Sequence, residues 1–110
     1  MKRDMDLIRL LLLHHEGATP VDLSGYSTEQ IIYHNALLVD AGLVRGAKTF
    51  NWRAVNVTGL NWAGHDFLDA ARNESVWRQM KDKLKKSALE LPIDLIKEIL
   101  IGILKARLNQ

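Results

Sequence analysis

The sequence predicts a small α+β domain in which helices pack against a three-stranded antiparallel sheet, with extra helices toward the C-terminus. Three patterns carry that prediction. Apolar residues recur at helical spacing near both ends of the chain, a capped helix ends at a glycine and runs straight into a short strand, and two β-prone runs flank a turn-rich segment. At 110 residues the chain is long enough for one core of ordinary size, and with 47% hydrophobic and 25% charged residues it is globular rather than disordered.

Residues 2–15 read as the first helix. Met1, Met5, Ile8 and Leu12 share one face, Leu7 and Leu11 widen it, and Lys2, Asp6 and Arg9 lie opposite. Glu16-Gly17 ends it, because glycine tolerates the left-handed geometry of a helix C-terminus. Pro20 holds Thr19 extended, and Val21 and Leu23 alternate with Asp22, which predicts the first strand, closed by a turn at Ser24-Gly25. Ser27, with Gln30 three residues on, forms a capping box for a second helix that runs to about Ala41 and stops at Gly42. Its expected buried stripe is Ile31, Leu38 and Ala41, with Leu43 docking just beyond.

Leu43-Val44-Arg45 and Ala54-Val55-Asn56-Val57 read as two strands of a hairpin joined by GAKTFNWR and closed by Thr58-Gly59. Asn61 can cap a helix over WAGHDFLDAAR, with Phe67, Leu68 and Ala71 toward the core. Asn73 can cap the next, where Val76, Met80 and Leu84 recur every four residues. Pro92 suits a first helical turn, so a last helix runs from there to about Leu108. The expected division is a core over residues 1–72 and a helical extension over 73–110, packed on that core or on a second copy.

In the last helix, Ile96, Ile99, Leu100, Ile103 and Leu104 suffice for a core face, while Ile101 falls among Asp94, Lys97, Glu98 and Lys105. The apolar surface therefore wraps further than one domain requires. The run is too short and too interrupted by charge to span a bilayer, which takes about 20 apolar residues. Three uses stay open: docking on the domain, pairing with another copy through Ile96, Ile101 and Leu104, or lying on a membrane surface.

The order of elements is helix, strand, helix, strand, connecting loop, strand and then helices. LLVDAGLV, residues 37–44, resembles the end of a recognition helix entering the first wing strand in bacterial winged-helix regulators. LNWAGHDFLDAAR, residues 60–72, is similar to the motif after the wing in those proteins, a Leu-x-x-x-Gly-x-x-Phe-Leu pattern. Together with the opening MKRDMDLIR, these stretches resemble a domain-of-unknown-function family of small bacterial and phage proteins. The resemblance spans nearly the whole chain, and GHDFLDAAR is its most distinctive block. It implies a winged-helix-like fold and a bacterial or prophage setting, and it carries over no catalytic or binding residue. Two departures stand out. Only about ten residues separate Gly17 from Ser27, so the helix that precedes the recognition helix in a standard winged helix is absent or reduced to one turn. Asn35 stands where such relatives are expected to place an aliphatic residue, and a buried asparagine needs partners or costs about 1–3 kcal/mol.

Composition narrows the chemistry. There is no cysteine, which excludes disulfides and thiolate metal sites, and no signal peptide is visible in MKRDMDLIRLLLLHHE, so a cytoplasmic protein is expected. Catalytic candidates are thin. His14-His15-Glu16 are consecutive and point different ways on a helix, and His65 and Asp69 have the spacing of a ligand pair without further ligands. No phosphate-binding loop, dinucleotide fingerprint or nucleophile elbow occurs. The expectation is a non-enzyme without metal or cofactor.

Charge is uneven. Residues 1–42 carry three basic and six acidic side chains, whereas 43–110 carry twelve basic and seven acidic. Attraction to an anionic partner should come from the second part. No acid occurs from Leu43 to Trp62, a stretch holding Arg45, Lys48 and Arg53 with Phe50 and Trp52 between them. Basic residues on a hairpin suit phosphate contacts, and the aromatics either pack on sugars or fold back over the core. A second basic cluster, Arg78, Lys81, Lys83, Lys85 and Lys86, reads as either a phosphate-binding stripe or a solvated helix face. The recognition-position helix itself has no lysine or arginine; Thr28, Gln30, Tyr33 and His34 are its residues nearest a base, and Glu29 and Asp40 oppose phosphate. Two functions follow as expectations. One is binding of double-stranded DNA, with Arg45, Lys48 and Arg53 on phosphates. The other is a protein-interaction or oligomerisation module, using Leu37 and Tyr33 outward and the last helix for self-association.

Overall fold

A computed structural model describes residues 1–48, 54–87 and 90–109. Its element order is α1 (Met5–Glu16), α2 (Thr28–Asp40), β1 (Val44–Lys48), β2 (Val55–Leu60), α3 (Trp62–Ala71), α4 (Glu74–Lys86) and α5 (Ile93–Leu108). The chain divides into two compact units, Met1–His65 and Asp66–Gln110, with the boundary inside α3. The architecture is mixed α+β, and among the described residues the sheet has two strands, not three.

In the first unit, α1 begins at Met5 because Asp4 caps it: its carboxylate accepts from the amides of Asp6 at 2.9 Å and Leu7 at 3.2 Å. This is later than the expected start at residue 2, and it leaves Met1 outside the helix and exposed. Gly17 ends α1 in the left-handed region at φ 77, as the sequence predicts. Leu7, Ile8, Leu11 and Leu12 are buried, and α1 packs on α2 and β2. The strand expected over Val21–Leu23 does not form. The segment instead folds into local turns: the Asp22 carboxylate accepts from the Ser24 amide, and the Tyr26 amide donates to the Leu23 carbonyl.

The capping box on α2 is present in both directions, with Gln30 donating to the Ser27 hydroxyl and Ser27 donating to the Gln30 side chain. The buried face differs from the expected one. It runs through His34, Asn35, Ala36 and Leu38, while Ile31 and Ala41 are only half-buried. The helix is turned because two polar residues on it have partners on α1. The Asp4 amide donates to His34 Nε2 at 2.8 Å, and His15 Nε2 donates to Asn35 Oδ1 at 2.7 Å. Asn35, 8% exposed, is thus satisfied within the fold.

At its C-terminus α2 closes with paired bonds, Leu43 amide to Leu38 carbonyl and Gly42 amide to Val39 carbonyl, with Gly42 left-handed at φ 72. The chain then enters β1, which pairs antiparallel with β2. Val44 faces Leu60 and Arg45 faces Gly59, but Gly46 faces Val57, so Thr58 is the extra residue of a bulge. Thr58-Gly59 therefore lies inside β2 rather than closing the hairpin; the Thr58 hydroxyl donates to the Arg45 carbonyl. β2 alternates half-buried Val55 and Val57 with exposed Asn56 and Thr58, and most of β1 is exposed, as suits a projecting hairpin. Its tip, residues 49–53 with Phe50, Trp52 and Arg53, lies outside the described residues.

The start of α3 is tied to the base of the hairpin. Asn61 donates its backbone amide to the Leu43 carbonyl and its side-chain amide to the Gly42 carbonyl, and its Oδ1 accepts from the Gly64 amide at 2.9 Å. A Cβ on Gly64 would fall 1.9 Å from the Leu43 oxygen. Only glycine allows this approach, which accounts for the glycine in the Leu60-x-x-x-Gly64 pattern.

In the second unit, Asn73 caps α4 through the amides of Ser75 and Val76. Trp77 is fully buried and meets the Phe67 ring edge-on at 6.4 Å. Ile93, Ile96, Leu100 and Ile103 are buried on α5, which packs on α4, and the Arg107 guanidinium donates to the Ser75 hydroxyl.

Two outcomes test this packing. Gly64→Ala should lower unfolding stability by about 1–3 kcal/mol, since the added methyl must push the α3 start from the Leu43 carbonyl. Gly102→Ala, on an exposed turn of α5 with open space around it, should raise it by roughly 0.5–1 kcal/mol. Urea denaturation of both variants is the measurement, and equal tolerance at the two positions would contradict the close approach at Gly64. The second outcome concerns pH. Burial holds the His15 ring below the ordinary histidine range, the Asn35 bond opposes this, and the neighbouring His14 adds to the lowering. The unfolded chain accepts a proton that the folded chain resists. His15 thus contributes stability that is full above about pH 6.5 and declines as pH falls through that value toward the lower folded one. Thermal melts between pH 7.5 and 5.5 should therefore show a smaller decline in His15→Gln than in the parent; identical profiles would contradict it.

Candidate nucleic-acid interface

Of the residues expected to face DNA on α2, Thr28 is exposed and Gln30 and Tyr33 are half-buried. Gln30 is engaged by its own capping box, since its Oε1 accepts the Ser27 amide at 2.8 Å. His34 is a correction: it is fully buried, and both ring nitrogens are occupied. A backbone amide can only donate, so Nε2 accepts from Asp4 and the proton sits on Nδ1, which donates to the Gln30 carbonyl at 2.7 Å. Its ring meets Tyr33 edge-on at 5.2 Å. His34 is a link between helices and is not available to a base.

The hairpin residues separate as well. The Lys48 ammonium forms an ion pair with Asp40 at the end of α2, so its charge is offset locally. Arg53 lies outside the described residues. Arg45 is exposed, and among the described residues no carboxylate pairs with it. Its guanidinium lies beside Gly59, where a Cβ would approach Nη2 to 3.2 Å, so the missing side chain gives it room.

Arg45 belongs to an open cleft of about 370 Å³, lined with Leu60, Asn61, Trp62 and His65. Trp62 is 85% exposed, and its ring lies 6.5 Å from that of exposed His65 at an interplanar angle of 58°. Among the described residues, the cleft thus joins a cation that no carboxylate pairs with to two aromatic faces, with no acid in its lining. The sequence reading gives Trp62 no role and weighs His65 only as a ligand-spaced partner of Asp69. The signal was present: a helix with Phe67, Leu68 and Ala71 inward turns position 62 away from that face, where a tryptophan has no packing role.

The other expected surfaces stand as follows. Leu37 on α2 is half-buried. Ile96 is a second correction: it is fully buried in the second unit and cannot face another copy, whereas Ile101 and Leu104 are half-buried. The apolar residues that α5 exposes are Leu95 at 50% and Leu108 at 75%. On α4, Arg78, Lys83, Lys85 and Lys86 are exposed; the last three fall in the final turn, where cations complement the helix dipole. Among the described residues, no group of three or more His, Asp or Glu is placed to hold a metal, and no helix is long and apolar enough to cross a membrane.

Residues 2–90 match a family described as "Hypothetical protein (DUF2513)". A relative from Haemophilus influenzae, described as "Uncharacterized protein", is 35% identical over 108 residues, covering 90% of this chain and 92% of its own. No solved structure matches the chain.

Proposed function

The chain belongs to the family described as Hypothetical protein (DUF2513), and for it we propose a non-catalytic, DNA-binding role on a winged-helix-like framework. In this reading α1 and α2 form the helical body, α2 holds the recognition position, and β1 and β2 are the wing. The helix before the recognition helix and the third strand are both dispensed with.

The observation that carries the proposal is exposed Arg45, which no carboxylate among the described residues pairs with, on a hairpin whose sequence has no acid, next to exposed Trp62 and His65. A guanidinium in that position suits bidentate contact with a phosphate. Grip then comes from the hairpin, and α2 adds only Thr28 and Tyr33 at its outer edge, since Gln30 and His34 serve the fold. A second reading rests on a different observation. The outward face of α2 carries Tyr33 and Leu37 with no cation from Tyr26 to Val44, which suits a protein partner better than a phosphate backbone.

Salt separates the two. Titration with a random-sequence duplex should show binding at about 50 mM salt that weakens steeply as salt rises. Arg45→Glu should abolish it, and Arg45→Ala should reduce the salt slope by about one. Absence of binding at low salt, or full retention in Arg45→Glu, would falsify the role of the hairpin. Association that ignores salt and is lost in Leu37→Glu belongs to the protein-partner reading.

A further inference from the structure

We propose that the Arg45–Trp62–His65 cleft is a subsite for an unstacked nucleobase and its adjoining phosphate, so that the protein holds single-stranded DNA as well as duplex. The inference rests on the DNA-binding reading and names what that surface takes. Tryptophan is among the residues that folding normally covers, yet Trp62 stands 85% exposed at the first position of α3. Its backbone is held in place. The preceding Asn61 is fixed by three hydrogen bonds, to Leu43, Gly42 and Gly64, and the helix cannot back away because Gly64 sits against the Leu43 carbonyl. An exposed indole on a fixed backbone is a stacking platform, and every base has a face to offer it, so binding of this kind tolerates sequence.

The rest of the lining fits the same occupant. The cleft volume of about 370 Å³ lies within the range of small-ligand sites, which begins near 300 Å³. The His65 ring, tilted from the indole, offers a second aromatic edge. Arg45 is placed by its pairing with Gly59 and carries a charge that no carboxylate among the described residues offsets, which suits the phosphate that adjoins a stacked base. Asn61 has its side-chain oxygen and amide engaged internally, so it orients the platform rather than reading a base edge. A base inside a duplex cannot reach the indole face without leaving its stack. The cleft therefore favours single strands or an extruded nucleotide.

The test compares a dye-labelled eight-nucleotide oligothymidylate with a duplex of mixed sequence, by fluorescence anisotropy, on the full chain. The parent should bind both. Trp62→Ala should weaken the single strand about tenfold or more and leave the duplex nearly unchanged, while Trp62→Phe should restore most of the loss. Arg45→Ala should weaken both. Trp62 is exposed, so these variants should melt with the parent. If the duplex binds through Arg45 but the single strand does not bind, or binds Trp62→Ala equally well, the subsite is overturned and the hairpin reading survives. An equal loss for both forms in Trp62→Ala also overturns it, because Trp62 then serves the backbone contact alone. If neither form binds the parent, both proposals fail together.

Discussion

Most of what positions the cleft depends on one contact, the approach of the α3 start to the Leu43 carbonyl. Gly64 has no side chain there, and Asn61 fills the remaining gap with hydrogen bonds to Gly42, Leu43 and Gly64. The Leu43 oxygen is the acceptor at the point where α2 has just ended and β1 is about to begin. One polar group thus joins the end of α2, the base of the hairpin and the start of α3. Backbone acceptors left over at a helix C-terminus must find donors, and Asn61 supplies two of them. Arg45 on β1 and Trp62 on α3 are adjacent because that junction allows no slack.

A second constraint shapes α2. His34 and Asn35, consecutive on the helix, reach Asp4 and His15 near the two ends of α1. Buried polar groups of this kind must be fully satisfied, and here each has a partner on α1. The consequence for function is direct. Fixing α2 by its polar residues turns them inward and leaves an outer face of Thr28, Glu29, Tyr33 and Leu37 without a cation. On the proposed reading α2 is more a structural member than a reader, and Asp40 at its end holds the Lys48 charge as well.

The sequence disclosed the parts that rest on local chemistry. The capping box at Ser27, the glycine stops at Gly17 and Gly42 and the Asn73 cap follow from residues a few positions apart and form as expected, and the two hairpin strands pair, with Thr58-Gly59 inside the second rather than closing it. The expectations that failed depended on partners distant in the chain. Val21–Leu23 alternates like a strand, but among the described residues no strand pairs with it and its turn residues prevail. The buried stripe of α2 differs from the expected one because His34 reads as an outward residue, and the partners that a buried Asn35 needs come from α1, distant in the chain. Ile96 reads both as a core-face residue and as part of a pairing surface, and its full burial leaves only the first. The cleft was legible only in pieces. Arg45 stands out by charge, but Trp62 is significant only once it is seen beside Arg45; helical position gives the face it turns to and not that neighbour. The match to a family and to a 35% identical relative places the chain without assigning it a ligand.

The central claim is that nucleic acid meets this protein at the junction of hairpin and α3, not along α2. Amide and indole chemical shifts recorded by NMR during a DNA titration test it most directly. The account predicts the largest perturbations at Arg45, at the Trp62 indole and at His65, with Tyr33 and Leu37 little affected and the buried Trp77 indole unmoved. Perturbations concentrated on Tyr33 and Leu37, or confined to the basic turn of α4, would contradict it.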